Sequence, residues 1–401
     1  MNNDWFKNPS ALNRPAPLWV WNDRMDKTEI AWELQQLKDH GFGGAFVHPR
    51  FGMLTPYLSE EWFELWRFSL ETAKKLGLKL YIYDENTYPS GYAGGHVSAE
   101  MPDCVATSAA YRLQPSADFA SAQADWKSLI KAFACEKRED GSLRIIRDLY
   151  DLPAWEWPQQ SEWVITIRLV KPETLPWLGD CSYVDVMQPG VTQKFLETTY
   201  ESYYQRFGKD FGKAIPAIFS DEPGVSGSGI YKWGEADNQP FSYWLAAEFQ
   251  KRNGYSLLDH LPAVFENVEC DWFVKPAVKV RYDFCCTVQQ LWTENFMIPM
   301  YRWCQQHHIA WTGHFLEEYW PSVASSTFYG DVMANYEYMQ WPGIDMLMTA
   351  LYKHKATDQM RLVILQLASV GSQLPKEQLL CESYGAGGWD ASLDDFKRIG
   401  D

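Results

Sequence analysis

Residues 44–86 read GAFVHPRFGMLTPYLSEEWFELWRFSLETAKKLGLKLYIYDEN and contain two apolar segments separated by an amphipathic one. The apolar segments at residues 44–48 and 78–83 predict buried strands. Between them, Ser59 is a predicted helix N-cap and Gly77 ends the helix at the position where glycine is favoured. Strand, helix and strand joined by short turns are typical of a parallel sheet.

The same alternation continues on both sides of this stretch. Residues 17–22 (PLWVWN) predict an earlier strand, and residues 215–220, 308–312, 343–347 and 379–381 predict later ones. No glycine-rich phosphate turn follows the first strand, although a dinucleotide-binding doubly wound sheet would require one. The sequence therefore favours an α/β fold of the (β/α)8 TIM-barrel type, whose active site lies at the carboxyl ends of the strands.

The pattern changes between the third and fourth predicted barrel strands. Residues 102–182 alternate apolar and polar positions, and Asp140-Gly141 is a hairpin turn sequence, so an inserted antiparallel β domain is expected. Residues 1–101 would then carry barrel strands 1–3, and residues 183–401 the rest of the barrel. Because only seven barrel strands are predicted, the barrel is expected to be incomplete at its C-terminal end.

Composition narrows the class of partner. The 401 residues include 52 acidic and 36 basic side chains, and a net charge of −16 disfavours nucleic acid. No apolar segment approaches the roughly 18 residues of a membrane span, and the start lacks signal-peptide features, so a cytoplasmic location is expected. The 20 Trp, 22 Tyr and 21 Phe suit a carbohydrate substrate, whose rings have one apolar face. The sequence does not indicate the oligomeric state.

Acidic residues follow several predicted strands directly. They are Asp84 and Glu85, Asp221 and Glu222, Glu317 and Glu318, and Glu382. Carboxylates converging on one aromatic-lined face predict cleavage of a glycosidic bond, which needs one carboxylic acid and a second carboxylate. Aromatic walls would raise the pKa of the acid by desolvation. A single strand-end acid could equally well cap a helix, but convergence of all four groups favours catalysis.

Two of these acids are the predicted catalytic pair. Glu222 follows an apolar strand in IFSDEP, where Pro223 fixes the turn, and Glu317 follows another strand in TGHFLEEYW. Glu317 and Glu318 are equally good candidates for the second carboxylate. The other predicted substrate-binding residues also lie at strand ends: Trp21, Asn22, His48, Arg50, Asp84, Glu85, His314, Glu318, Glu382 and Tyr384. The spacing of His48, His96 and His314 matches no metal-binding motif, so the sequence assigns no metal ligand.

Several segments together resemble the α-L-rhamnosidases of glycoside hydrolase family 106 and their uncharacterised relatives. The matching segments are PLWVWN, GFGGAFVHPRFG, LYIYDENTYPSGYAGG, FSDEP, TGHFLEEY and CESYGAGGW, which span residues 17–390. The resemblance implies a (β/α)8 catalytic domain that removes terminal α-L-rhamnose with inversion, with calcium helping to hold the sugar. It also implies that Glu222 is the general acid and Glu317 the general base.

Three other functions are compatible with the same residues. The first is a non-catalytic carbohydrate-binding barrel, and the second is a retaining glycosidase of the β-galactosidase type. The third is a metal-dependent lyase or isomerase that uses His48, Glu85, His96 or His314. An inverting enzyme requires its two carboxyl groups to lie roughly 6.5–9.5 Å apart, whereas a retaining enzyme holds them at about 5 Å.

Overall fold

The computed structural model describes residues 7–120, 126–172, 174, 179–225, 238–316, 318, 330–346, 357–387 and 389–400. The strands are β1 Leu18–Trp21, β2 Gly44–Pro49, β3 Lys79–Tyr83, β4 Ser108–Pro115, β5 Leu129–Lys137, β6 Leu143–Asp148, β7 Trp163–Val170, β8 Ala217–Asp221, β9 Asn238–Pro240, β10 Val268–Cys270, β11 Ala310–His314, β12 Gly343–Met346 and β13 Leu380–Ser383. The α-helices are α1 Lys27–Asp39, α2 Glu60–Leu76, α3 His96–Glu100, α4 Val191–Phe195, α5 Glu201–Phe207, α6 Tyr243–Asn253, α7 Leu257–His260, α8 Pro262–Phe265, α9 Ala277–Trp292, α10 Ile298–Gln306, α11 Val332–Glu337, α12 Thr357–Gln373 and α13 Leu393–Gly400.

Seven of these strands form parallel sheets, as the sequence predicts for an α/β protein. Five are hydrogen-bonded in the order β1-β2-β3-β8-β11, and β12 pairs with β13 in a second, two-stranded sheet. The α/β class and the parallel sheet are therefore confirmed. Within the described ranges, these pairings do not close the strands into a barrel.

Two glycines, Gly313 and Gly343, allow three of the parallel strands to approach closely. Gly313 of β11 has φ +128°, and a Cβ atom there would lie 1.9 Å from the carbonyl oxygen of Ser220 in β8. A Cβ atom on Gly343 of β12 would lie 2.4 Å from the carbonyl oxygen of Gly313. Only glycine fits such approaches without displacing backbone. The carboxyl ends of β8 and β11 therefore lie next to each other, and the first residue of β12 lies against the carboxyl end of β11.

A third, mainly antiparallel sheet has six strands in the order β10-β6-β5-β7-β4-β9. Strands β4 to β7 lie within residues 102–182, where the sequence predicts an antiparallel insertion. Strands β9 and β10 come from later in the chain and extend this sheet at both edges. The sheet is therefore larger than the predicted insertion, since two three-residue strands outside it also pair with its edges.

Helix α2 shows how the parallel strands are covered. The Ser59 side chain accepts a hydrogen bond from the Trp62 amide, and Gly77 ends the helix at φ +72°, both as predicted. Trp62 and Trp66 are buried one turn apart, and the Trp62 indole donates to the Tyr203 hydroxyl at 3.1 Å. Burying an aromatic side chain of this size contributes on the order of 2–3 kcal/mol.

None of the described helices combines the length and the apolar composition needed to cross a membrane.

Candidate active site

The strands of the five-stranded sheet direct alternate side chains to one aromatic face. Phe46 of β2, Tyr83 of β3 and Phe219 of β8 pack in one buried cluster on this face. Because side chains two positions apart in a strand share a face, His48 and Asp221 continue it toward the strands' carboxyl ends. The His48 ring stacks on Tyr83 with ring centroids 3.8 Å apart. The aromatic cluster thus forms a floor beneath the strand-end polar residues.

Five ionisable residues meet above this floor, and we call them the carboxylate cluster: Asp221, Glu222, His314, Asp345 and Glu382. His314 Nε2 lies 2.8 Å from Glu382 Oε2 and 3.5 Å from Asp221 Oδ1. Parallel pairing places His314 opposite Asp221, and Asp345 opposite Glu382. Four acids therefore surround one buried histidine. Four of these five residues lie near the carboxyl ends of β8, β11, β12 and β13, and Glu222 lies in the turn after β8.

This acidic surrounding determines the charge of His314. Burial alone would lower its pKa, but the carboxylates of Glu382, Asp345 and Asp221 outweigh burial and hold it well above its ordinary value. A protonated imidazole donates from both ring nitrogens, and Nε2–H faces Glu382. Nδ1 is buried without a hydrogen-bond partner among the described residues. His314 is therefore an internal cation of the cluster with one donor left over.

Glu222 is the member of the cluster best suited to hold a proton. It directly follows β8 with φ +45°, a left-handed conformation that glutamate rarely adopts. Burial and the charge of Asp221 raise the pKa of Glu222 to about 8. The carboxyl group is therefore protonated at neutral pH, which is the state required of a general acid.

Hydrogen bonds to Tyr83 and Ser90 fix the position of Asp221, the residue before Glu222. Its Oδ2 accepts a hydrogen bond from the Tyr83 hydroxyl at 2.5 Å, and its amide donates to Ser90 Oγ at 2.8 Å. Burial raises the pKa of Asp221 to about 6, so it is mainly ionised at neutral pH and supports the proton on Glu222. Asp221 and Glu222 thus differ in pKa, as neighbouring carboxyl groups in acid–base sites typically do.

His48 lies near the carboxyl end of β2 and Arg50 directly follows that strand, which β3 separates from β8. His48 is fully buried, and neither of its ring nitrogens has a hydrogen-bond partner among the described residues. Burial and the charge of Arg50 lower the pKa of His48 to about 3, so the ring is neutral. The Arg50 guanidinium lies 5.1 Å from the centre of the Tyr88 ring, and Tyr88 is itself within the field of Glu222.

Asp84 has a different position from the one that its strand-end location suggests. It follows the inward-facing Tyr83, so it points to the opposite side of the sheet. There it is fully buried and accepts hydrogen bonds from Ser90 Oγ, Tyr200 Oη and Ser220 Oγ. These contacts join β3, β8 and the following loop, and they are typical of a structural carboxylate.

Glu85 is likewise enclosed by the chain that follows it. Its two carboxylate oxygens accept backbone amide hydrogen bonds from Asn86 and from residues 91–94. Burial raises the pKa of Glu85, but five backbone N–H groups that can only donate point at its two oxygens, so this surrounding suits the ionised carboxylate. Glu85 therefore organises the GYAGG turn, and its side chain is fully buried.

Glu318 is also occupied by internal contacts. Its Oε1 accepts from the Phe315 amide at 2.9 Å and from the Tyr336 hydroxyl at 3.0 Å, and its Oε2 accepts from the Asp345 amide at 3.0 Å. Glu318 thus connects the turn after β11 to β12 and helps to fix Asp345. Glu317, the predicted base, lies outside the described residues.

Three predicted binding residues lie apart from the carboxylate cluster. Trp21 is fully buried between Trp19 and Trp62, with ring centroids 5.4 and 5.1 Å away. Asn22 is exposed in the turn after β1. Tyr384 follows β13 with φ +71° and packs against Phe396 at 5.4 Å. Trp21 and Tyr384 therefore have packing roles, and Asn22 is a surface residue.

Sequence reasoning missed Asp345. It lies inside the predicted strand at residues 343–347 rather than after it, and its Oδ1 is buried without a hydrogen-bond partner among the described residues. Burial raises the pKa of Asp345 to about 6. An acid within an otherwise apolar strand was the available signal, because an uncompensated carboxylate is costly in a core.

Three members of the carboxylate cluster lie close enough together to hold a metal ion. Among the described residues, Asp221, Glu222 and His314 each offer one ligand atom, and these atoms lie within 4.8 Å of one another. Calcium takes six to eight oxygen ligands, whereas this group offers two carboxylates and one nitrogen that already faces Glu382. These residues do not by themselves fit calcium, so we assign no metal ligand.

Comparison with known proteins adds one finding on the fold. No protein-family model matches the chain, and no curated protein matches it. Among solved structures, the chain is similar to a rhamnosidase from Novosphingobium sp. PP1Y, with a TM-score of 0.60 and 14% sequence identity over 99% of this chain. The match covers 54% of the rhamnosidase, so this chain spans about half its length. At this identity, the chain shares a fold with that rhamnosidase.

Proposed function

We propose that the chain is the catalytic part of a glycoside hydrolase that removes a terminal sugar, most specifically α-L-rhamnose, with inversion. Glu222 is its general acid, and Glu317 its general base. The observation that carries this proposal is the convergence of Glu222 with Asp221 and His314 in the carboxylate cluster above an aromatic floor. The shared fold with a rhamnosidase supports the choice of sugar.

The proposed reaction begins with the proton on Glu222. It passes to the glycosidic oxygen as the bond from that oxygen to the anomeric carbon breaks. The ionised Asp221 next to Glu222 stabilises the proton in the ground state, and the approach of the leaving oxygen makes transfer favourable. Positive charge develops on the sugar ring, where the surrounding carboxylates stabilise it.

The same displacement also needs a base on the opposite face of the sugar, which acts while Glu222 protonates the leaving oxygen. Glu318 cannot easily serve, because the amides of Phe315 and Asp345 and the hydroxyl of Tyr336 occupy its oxygens. Glu317 is the neighbouring carboxylate and is the base that the family resemblance implies. It would remove a proton from water as the water attacks the anomeric carbon, which gives a product of inverted configuration.

His48 and the remaining members of the carboxylate cluster are suited to hold sugar hydroxyls. The ring nitrogens of His48 and the Oδ1 atom of Asp345 are buried without partners among the described residues. Unpartnered buried polar atoms are costly, and a bound hydroxyl would relieve that cost. We assign His48, His314, Asp345 and Glu382 to substrate binding, and Arg50 to the rim of the site.

The proposal includes a barrel architecture. The seven parallel strands would belong to a (β/α)8 barrel whose carboxyl ends carry the cluster. Because the described residues do not form a calcium site alone, no step is assigned to a metal ion. The lyase alternative would need Glu85 or His96 near His314. Glu85 is fully buried among backbone amides, and His96 is exposed at the start of α3.

The pH dependence of hydrolysis tests the assigned acid. Glu222 must be protonated to act, so kcat/KM for an alkyl α-L-rhamnoside, whose leaving group needs a proton, should fall as the pH rises through the pKa of about 8. Below that value this group should not limit the rate. A pH–rate profile of the full chain measures this alkaline limb, the fall in kcat/KM above the pKa of Glu222.

The control is the residual activity of Glu222→Gln, which cannot titrate and should lack the alkaline limb. An alkaline limb that is unchanged in Glu222→Gln would assign the acid to another residue.

A further inference from the structure

Three exposed aromatic side chains lie on one surface away from the carboxylate cluster. Tyr150 follows β6, Tyr243 begins α6, and Trp272 follows β10. Their exposures are 48%, 56% and 40%. Together with Lys131, Asp148 and Asp259, we call them the aromatic platform.

Charged side chains connect the members of the platform. Lys131 Nζ lies 5.5 Å from the centre of the Tyr150 ring, 2.5 Å from Asp148 Oδ2 and 4.0 Å from Asp259 Oδ1. Burial and the neighbouring Tyr150 raise the pKa of Tyr243, as expected for two phenols close together. Lys131 therefore lies between the tyrosine side of the platform and Asp259.

Asp259 continues the platform to Trp272. Both residues line a hollow of about 660 Å³, together with Asn253, Ser256 and Lys275. This volume lies within the usual 300–1,000 Å³ of small-molecule sites. Aromatic and polar side chains therefore border one concave surface.

The segment that carries Trp272 is held in place by contacts of the residues that follow it. Phe273 follows it and packs against the His260 ring, with centroids 4.6 Å apart. Both nitrogens of His260 are engaged, one with the Ser256 carbonyl at 2.8 Å and one with the Val274 amide at 3.1 Å. The segment that carries Trp272 is thus fixed before any ligand binds, which lowers the entropy lost on binding.

The platform combines aromatic and charged side chains, and this combination restricts the chemical class of ligand that it can bind. A polyanion would be repelled by Asp148, Asp259 and the net charge of −16. A purely apolar partner would have to desolvate Lys131 and Asp259 without replacing their hydrogen bonds. An uncharged sugar chain satisfies both conditions, because its C–H faces can stack on the rings while its hydroxyls bond to the charged groups.

We propose that the aromatic platform is a second carbohydrate-binding surface, which holds an uncharged oligosaccharide away from the catalytic cluster. It lies on the six-stranded sheet and the helices beside it, whereas the carboxylate cluster lies at the ends of the parallel strands. Binding there does not require hydrolysis, so this inference stands or falls independently of the proposed reaction.

The test is affinity electrophoresis of the full chain in native gels that contain arabinan, galactomannan or xyloglucan. At least one of these uncharged polysaccharides should retard the wild-type chain. Trp272→Ala and Tyr243→Ala should each weaken that binding by about tenfold, a loss of about 1.4 kcal/mol. Trp272→Phe should retain part of the binding, since it keeps an aromatic face.

Trp32→Ala is the matched control, because Trp32 is 62% exposed on α1 and outside the platform. It should leave retardation unchanged. Circular dichroism would verify that each variant is folded, and hydrolysis of an aryl α-L-rhamnoside should be the same in Trp272→Ala as in the wild type.

Three results would overturn the inference. The first is the absence of retardation in all three gels, and the second is retardation that Trp272→Ala does not change. The third is a dimer, detected by light scattering, that Trp272→Ala dissociates while sugar binding is absent, since the platform would then bind a second copy.

Discussion

Replacement of Glu222 by glutamine should lower kcat for an alkyl α-L-rhamnoside by about a thousandfold, within the range that general acid catalysis contributes. Glutamine keeps the size of the side chain but has no proton to transfer to the leaving oxygen. KM should change little, because Glu222 acts mainly in the transition state. Steady-state kinetics of the full chain measure both constants.

The leaving group distinguishes loss of the acid from general damage to the site. A dinitrophenyl rhamnoside needs little protonation, so its hydrolysis should lose far less activity in Glu222→Gln than that of the alkyl substrate. Glu64→Gln, an exposed change on α2, should leave both substrates unaffected. Equal losses for the two substrates would count against Glu222 as the acid.

Replacement of Glu85 by glutamine should cost more stability than any substitution in the carboxylate cluster, with a loss of at least about 3 kcal/mol. The Glu85 carboxylate accepts amide hydrogen bonds from Asn86 and residues 91–94. Glutamine offers one acceptor oxygen and brings an NH2 group against amide donors, so several buried N–H groups would lose their partner. Urea denaturation measures the free energy of unfolding.

The exposed Glu64 again supplies the control. Glu64→Gln should change the free energy of unfolding by no more than about 0.5 kcal/mol. If Glu85→Gln proved as stable as this control, the carboxylate would not organise the loop. Its assignment as a structural residue would then have to be replaced by the binding role that the sequence suggests.

The parallel strands were predictable because each is a short apolar segment followed by a helix pattern. Strands β8 and β11 lie within two residues of the predicted segments 215–220 and 308–312. Strands β9 and β10 were not predictable, since three residues carry no measurable period. Each becomes a strand only because an edge of the six-stranded sheet is available to it.

The direction of each strand-end acid was harder to predict than its position. Asp84 and Asp221 both end apolar strands, but Asp221 follows the inward side chain of Phe219 by two residues, whereas Asp84 follows that of Tyr83 by one. A shift of one residue reverses the face. The strand boundary must therefore be known to one residue, and sequence patterns rarely give it that closely.

Local backbone geometry explains the remaining differences. Glu318 was a candidate for the base, yet the turn after β11 directs it to the amides of Phe315 and Asp345. Asp345 was missed because it lies within a strand rather than after it. Neither arrangement has a periodic pattern in the sequence, since both depend on how a turn brings separate segments together.

The most direct test of the central claim is proton NMR of an aryl α-L-rhamnoside during its incubation with the full chain. An inverting hydrolase with Glu222 as acid should release β-L-rhamnose first, and the α-anomer should appear only by later mutarotation. First release of α-L-rhamnose would contradict inversion and support a retaining enzyme. No release of rhamnose would contradict the proposed α-L-rhamnosidase activity itself.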